Sequence, residues 1–196
     1  MSLRRRHDTL GRMKITLRTV FLFTLFVVFV LAGCQKRESS AAPAVSVSAT
    51  GAKQVTAAGV TFDWKITGPN IEIGLKAQTT GWVAVAFDPT SLMKGANFII
   101  GYVKDGKPFV ADHFGNQLTN HAADTSLGGQ DNVTNVSGKE ENGITEIRFT
   151  IPLSSGDQYD KPLGAGKHMV LLAHGDGDDH ETPHKPDARA KLNLDL

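Results

Sequence analysis

The feature that most constrains this chain is a period-two alternation of apolar and polar residues, restarted at short intervals by turn signals. Val60, Phe62, Trp64 and Ile66 fall at period two, as do Ile71, Ile73, Leu75 and Ala77. Ile147, Phe149 and Ile151 alternate with Glu146, Arg148 and Thr150. Successive strand side chains point to opposite faces, so such stretches predict half-buried strands. Trp82–Phe87 and Phe98–Tyr102 are near-continuous apolar runs, also read as strands. Phe109–Phe114, Val133–Lys139, His168–Ala173 and Lys191–Leu196 complete a set of about nine strands. Gly68-Pro69-Asn70, Lys104-Asp105-Gly106, Glu141-Asn142-Gly143 and Gly164-Ala165-Gly166 punctuate them. No stretch of this region has a helical repeat. The expected fold is all-β, an immunoglobulin-like antiparallel β-sandwich.

The amino terminus reads differently. Basic residues lead into a 13-residue apolar run, Val20–Ala32, followed by Gly33-Cys34. A spanning helix needs roughly 20 apolar residues, so the run fits the helical core of a signal peptide. Leu31-Ala32-Gly33-Cys34 resembles a bacterial lipobox, which implies cleavage before Cys34 and acylation of its thiol. The expected organisation is a signal peptide at 1–33, lipidated Cys34 and a Ser/Ala-rich tether at 34–51, and one folded domain at 52–196. Gln35 in place of Asp after the cysteine resembles the sorting signal for the outer membrane. The expected location is therefore the bacterial cell envelope, on the periplasmic side, with the membrane as a partner through the lipid on Cys34.

Charge excludes one class of partner. Six of the 21 basic residues and one of the 20 acidic residues lie in 1–33, which leaves 15 against 19, a net charge of −4. Nucleic-acid binding needs clustered positive charge, so no nucleic-acid partner is expected. Cys34 is the single cysteine. It permits no intrachain disulfide, thiolate cluster or covalent haem attachment. There is no GxSxG, HExxH or phosphate-cradling loop, so the expectation is a non-enzymatic protein.

Three connections are longer than turns require: 88–96 with Met93, 115–132 with His121, and 174–190 with His174, His180 and His184. Long loops on a small sandwich often carry function. The third loop, HGDGDDHETPH, could also hold a divalent metal through its histidines and acids. Trp64 and Trp82 are candidates for sugar stacking, but their alternating apolar contexts favour core packing.

The ordered set GWVAVAF (81–87), MKGANFIIGY (93–102), KDG (104–106), VADH (110–113), ENGITEIRFTIPL (141–153) and LNLDL (192–196) resembles a DOMON domain. Asn97 stands where that pattern usually has Asp. The resemblance implies a β-sandwich that binds either b-type haem or a carbohydrate in a loop-lined pocket. In cytochrome-like members a Met after the WVA strand and a His before the last strand hold the iron. Met93 and His184 occupy the matching positions, with His174 and His180 as alternates. The resemblance thus implies non-covalent haem b with Met93 and His184 as axial ligands, and electron transfer with a periplasmic or membrane redox partner. The alternative is a non-catalytic module for a carbohydrate or other small ligand. Met93 and His184 would meet if the strand ending at Phe87 and the strand near Lys191 run in opposite directions, so that their loops share one end.

Overall fold

In the computed structural model, residues 43–184 and 186–196 are described; Cys34 and the apolar run before it lie outside them. Among the described residues no helix is long and apolar enough to cross a membrane. The strands are β1 (Ser46–Val47), β2 (Lys53–Ala57), β3 (Val60–Thr67), β4 (Asn70–Ala77), β5 (Val83–Phe87), β6 (Asn97–Lys104), β7 (Lys107–Phe114), β8 (Ala122–Ala123), β9 (Thr134–Glu141), β10 (Ile144–Pro152), β11 (Lys167–His174) and β12 (Arg189–Asp195). A single helical turn, α1 (Asp124–Leu127), follows β8.

Two six-stranded sheets stack as a sandwich, in the orders β1-β2-β3-β4-β10-β9 and β12-β11-β5-β6-β7-β8. Every pairing is antiparallel. The all-β sandwich is as expected, but there are twelve strands rather than nine. The additional three are β1, β2 and β8. Two of them have only two residues each, too few for any period to show. The short β1 falls inside the stretch read as tether.

Turn chemistry accounts for much of the topology. Asp105-Gly106 joins β6 to β7 and Asn142-Gly143 joins β9 to β10, and all four residues have positive φ, from 50° to 72°. Such turns match the right-handed twist of paired strands. Ala58-Gly59, between β2 and β3, has the same geometry, with φ of 47° and 76°.

Alternation then sorts the side chains. Phe62, Trp64, Ile73 and Leu75 of the first sheet meet Val85, Phe87, Ile99, Val170 and Leu172 of the second in one core. Phe62 stacks on Trp64 with centroids 4.7 Å apart and meets Phe87 edge-on at 6.3 Å across the sandwich. Ile66, expected inward, is 41% exposed because the last three residues of β3 lie beyond the core. β5 is buried on both faces. Val83, Val85 and Phe87 enter the core, while Ala84 and Ala86 belong to separate apolar clusters on the outer face. That second apolar face makes room for a site.

Candidate functional site

A cleft of about 600 Å³ lies on the outer face of the second sheet. Its volume is in the range of small-molecule and cofactor sites, roughly 300–1,000 Å³. Trp82 and Ala84, Phe98 and Ile100, and Leu171 and Ala173 line it from three adjacent strands or their ends. The alanines recess the floor between larger side chains. Leu92, Met93, Leu118 and His121 contribute from two loops, and His180, Pro183 and His184 from a third. Arg189 and Lys191 stand at the β12 side.

The Met93 loop is fixed through its backbone. Leu92 is in the left-handed region at φ 50°. Thr90 Oγ1 donates to the Lys94 carbonyl at 2.8 Å, and the Met93 amide donates to the Leu118 carbonyl at 3.0 Å. The Gly115 amide donates to Ala96 O at 2.9 Å, and the Gly95 amide donates to Gly115 O at 2.7 Å. A Cβ on Gly115 would sit 1.8 Å from the Met93 carbonyl oxygen. Glycine is what lets these two loops touch.

The histidine loop is seated at the opposite end of β5. The Trp82 amide donates to Gly177 O at 3.1 Å, and the Gly175 amide returns a bond to Trp82 O at 3.0 Å. The Trp82 indole donates to Thr182 O at 2.8 Å. Asp179 accepts from the Glu181 amide at 2.8 Å, the Thr182 amide at 2.6 Å and the Thr182 hydroxyl at 2.8 Å. Those bonds, led by the Thr182 amide, hold its carboxyl below the usual range. This acid is thus committed to shaping its own turn.

Three imidazoles gather beside the cleft. His113 Nδ1 and His121 Nδ1 are 2.9 Å apart, which requires one of them to carry the shared proton. His121 stacks on Phe98 at 5.3 Å; His180 meets His113 at 5.2 Å and Tyr102 at 5.0 Å. Burial, then the neighbouring His121 and His180, push His113 down to about 4. Burial lowers His121 and His180 as well, against the raising effect of nearby carboxylates. All three are therefore neutral imidazoles near neutral pH, the form that binds metals. His180 Nε2 is buried and makes no hydrogen bond among the described residues.

Met93 and His184, far apart in sequence, line the same cleft, as does the alternate His180. His174 does not line it. Its place at the end of β11 puts it in step with inward Val170 and Leu172, and its ring lies near Gly59. The expected shared loop end is incorrect. β5 and β12 both pair antiparallel with β11 and so run the same way. The two loops leave from opposite ends and both reach the open face between them. Sequence reasoning also gave no role to His121 or His113. Only the two-residue pairing of β8 with His113 and Phe114 brings these rings together.

Residues 57–175 match the DOMON domain family. The chain is 29% identical over 111 residues to DBH-like monooxygenase protein 1 of Homo sapiens and 28% identical over 122 residues to that of Mus musculus. These matches cover 57% and 62% of the chain but only 18% and 19% of those proteins, so it spans less than a fifth of their length. Among solved structures, the fold is similar to the cytochrome domain of Myriococcum thermophilum cellobiose dehydrogenase, with TM-score 0.57, 12% identity, and 79% of this chain and 88% of that one covered. It is also similar to the cytochrome b domain of pyranose dehydrogenase from Coprinopsis cinerea, with TM-score 0.55, 13% identity and the same coverage. With the family match extending over more than half its length and a two-sheet sandwich to carry it, the chain belongs to the DOMON domain family.

Proposed function

We propose that the cleft binds haem b non-covalently, with Met93 and His184 as axial ligands, and that the domain transfers electrons. The observation that carries this reading is that Met93 and His184 line one apolar cleft, beside the neutral imidazoles of His121 and His180. The residues fit the group. Ala84, Phe98, Ile100, Leu171 and Ala173 offer apolar surface to a flat macrocycle, and the buried His180 Nε2 lacks a partner. Arg189 and Lys191 stand where they can pair with carboxylates such as propionates. Haem held by Met and His supplies a one-electron centre whose ferrous state the thioether favours.

The chain's own contribution is placement and exclusion. The backbone bonds around Gly95 and Gly115 hold Met93 on one side, and the Trp82 bonds to Gly177 and Thr182 hold the histidine loop on the other. The apolar floor of Ala84, Ile100 and Ala173 would keep water from a bound group. Sugar binding, the alternative, would draw on Trp82. Trp82 is only 5% exposed and its indole N–H is committed to Thr182, which favours the haem reading.

We further propose that acylated Cys34 tethers this domain to the bacterial envelope within reach of a redox partner. If mass spectrometry finds cleavage elsewhere and an unmodified Cys34, the tether is wrong. The haem reading is tested by spectra and potentiometry after haem reconstitution. Wild type should show a Soret band with sharp bands on reduction. Met93→Ala should lower the potential, and His184→Ala should lose most haem affinity. Wild-type spectra in both variants refute the pair; no haem uptake by wild type refutes the reading.

A further inference from the structure

A second cluster lies across the sheet from the cleft. Asp112 and His113 are neighbours on β7 and so project to opposite faces, His113 toward the cleft side and Asp112 toward the inside of the sandwich. Asp112 is 2% exposed, Asp124 at the start of α1 is 0% exposed, and Asp160 comes from the loop after β10. One carboxylate oxygen from each lies within 4.8 Å of the others. We propose that Asp112, Asp124 and Asp160 form a buried binding site for a hard divalent cation, Ca²⁺.

The hydrogen-bond accounting around the cluster supports this. Asp160 accepts from Asn97 Nδ2 at 2.6 Å and Asn132 Nδ2 at 3.0 Å, and Asp112 Oδ2 accepts from the Asn132 amide at 3.2 Å. The Ser155 side chain also hydrogen-bonds Asp160. Asp112 Oδ1 and both oxygens of Asp124 are buried without a partner among the described residues. So is Oδ1 of Asn97, a neutral side chain that is 4% exposed. Its amide already touches the cluster through Asp160, so this orphaned oxygen is independent of the acids themselves. No ion pair among the described residues reaches any of the three carboxylates.

Buried carboxylates with unpaired oxygens must be protonated or neutralised by a cation. Without a cation, burial and then the neighbouring Asp160 push Asp112 up to about 8, and burial with the surrounding aspartates pushes Asp124 up to about 7. A divalent ion reverses that logic, because it is the largest local charge. The donors are all oxygen, which suits hard cations and not zinc or copper. One oxygen from each of three carboxylates lies close enough to share a single ion, and that many protein oxygens suit Ca²⁺, whereas Mg²⁺ keeps several waters and is usually held by one or two carboxylates.

Such an ion would join β7, α1 and the loop after β10. Through α1 and β8 it would fix the segment that carries His121 to the cleft. The inference does not depend on what the cleft binds.

The test uses the full chain, stripped with EDTA and titrated with CaCl₂ by calorimetry, with melting followed in parallel. Wild type should bind one Ca²⁺ per chain and melt higher in Ca²⁺ than in EDTA. Asp124→Asn should weaken binding by roughly tenfold or more. In EDTA that variant should melt no lower than wild type, because the amide removes a buried charge; a merely structural carboxylate would give the opposite. Asp160→Asn, at the less buried position, provides the same reading should Asp124→Asn fail to fold. No Ca²⁺ binding by wild type, unchanged binding in the folded variants, or preference for Zn²⁺ over Ca²⁺ would overturn the assignment.

Discussion

Gly115→Ala isolates the contact that seats the methionine loop. The added Cβ would lie 1.8 Å from Met93 O and 2.7 Å from Met93 C, both backbone atoms, and 3.3 Å from Phe98 Cε2. A carbon normally approaches a carbonyl oxygen no closer than about 3.3 Å, so the loop must move by about 1.5 Å. No rotamer relieves a clash with backbone. Overpacking of this kind costs about 1–3 kcal/mol. The flanking bonds, Gly115 N to Ala96 O and Gly95 N to Gly115 O, are strained by the same motion, at about 1 kcal/mol each if lost. Taking about 3 kcal/mol as the centre, a domain of this size should melt about 6–12 °C lower. Gly164→Ala is the control, since nothing lies within 4 Å of its Cβ position. It should stay within about 0.5 kcal/mol of wild type. Circular dichroism melts of the three proteins decide the matter. A Gly115→Ala protein that melts with wild type refutes the steric reasoning. On the proposed ligation, the same variant after haem reconstitution should also lose the signature of a sulfur ligand, because Met93 moves with its carbonyl.

Two further outcomes follow from packing and titration. Phe87→Ala removes a fully buried ring that bridges the sheets through Phe62. It should destabilise the fold by about 3–5 kcal/mol, read as a lower urea midpoint with little change in slope. His168 Nδ1 donates to Asp88 Oδ2 over 2.6 Å and Nε2 donates to Gly164 O over 2.8 Å. Burial alone draws its pKa down, but those two bonds outweigh it and raise it above 6.5. The charged form is therefore favoured in the fold. Its stabilisation is full below pH 6.5 and fades as pH rises through the higher folded value. The difference in melting temperature between wild type and His168→Gln should accordingly be larger at pH 6 than at pH 9; equal differences would remove the ion pair from the account.

The strands that could be read from sequence are those with several alternating residues and a turn signal at one end. β10 shows both, as Ile147, Phe149 and Ile151 follow Asn142-Gly143. β2 shows neither clearly. It has one fully buried apolar residue, Val55, and its turn puts Ala58 where Asn or Asp would announce positive φ. Met93 and His184 were chosen by motif position, which needs no knowledge of strand direction, and both line the cleft. The route by which both reach one cleft was not legible, because the relative direction of β5 and β12 is set by a third strand, β11, that pairs with both. Asp112, Asp124 and Asp160 carry no spacing signature at all. They come from a strand, a helical turn and a loop, and only the sandwich makes them neighbours.

The ends of the two sheets bear on how copies of the protein coexist. An unpaired terminal strand is a template on which another chain can extend the sheet. At β1 and β8 that template is two residues long. β9 offers eight residues, but they include Lys139, Glu140 and Glu141, and its register with β10 breaks between Arg148 and Thr150. β12 carries Arg189, Lys191 and Asp195 along its length. Short, charged or broken margins disfavour strand-by-strand growth into aggregates, so neighbouring molecules can be crowded together and still remain separate.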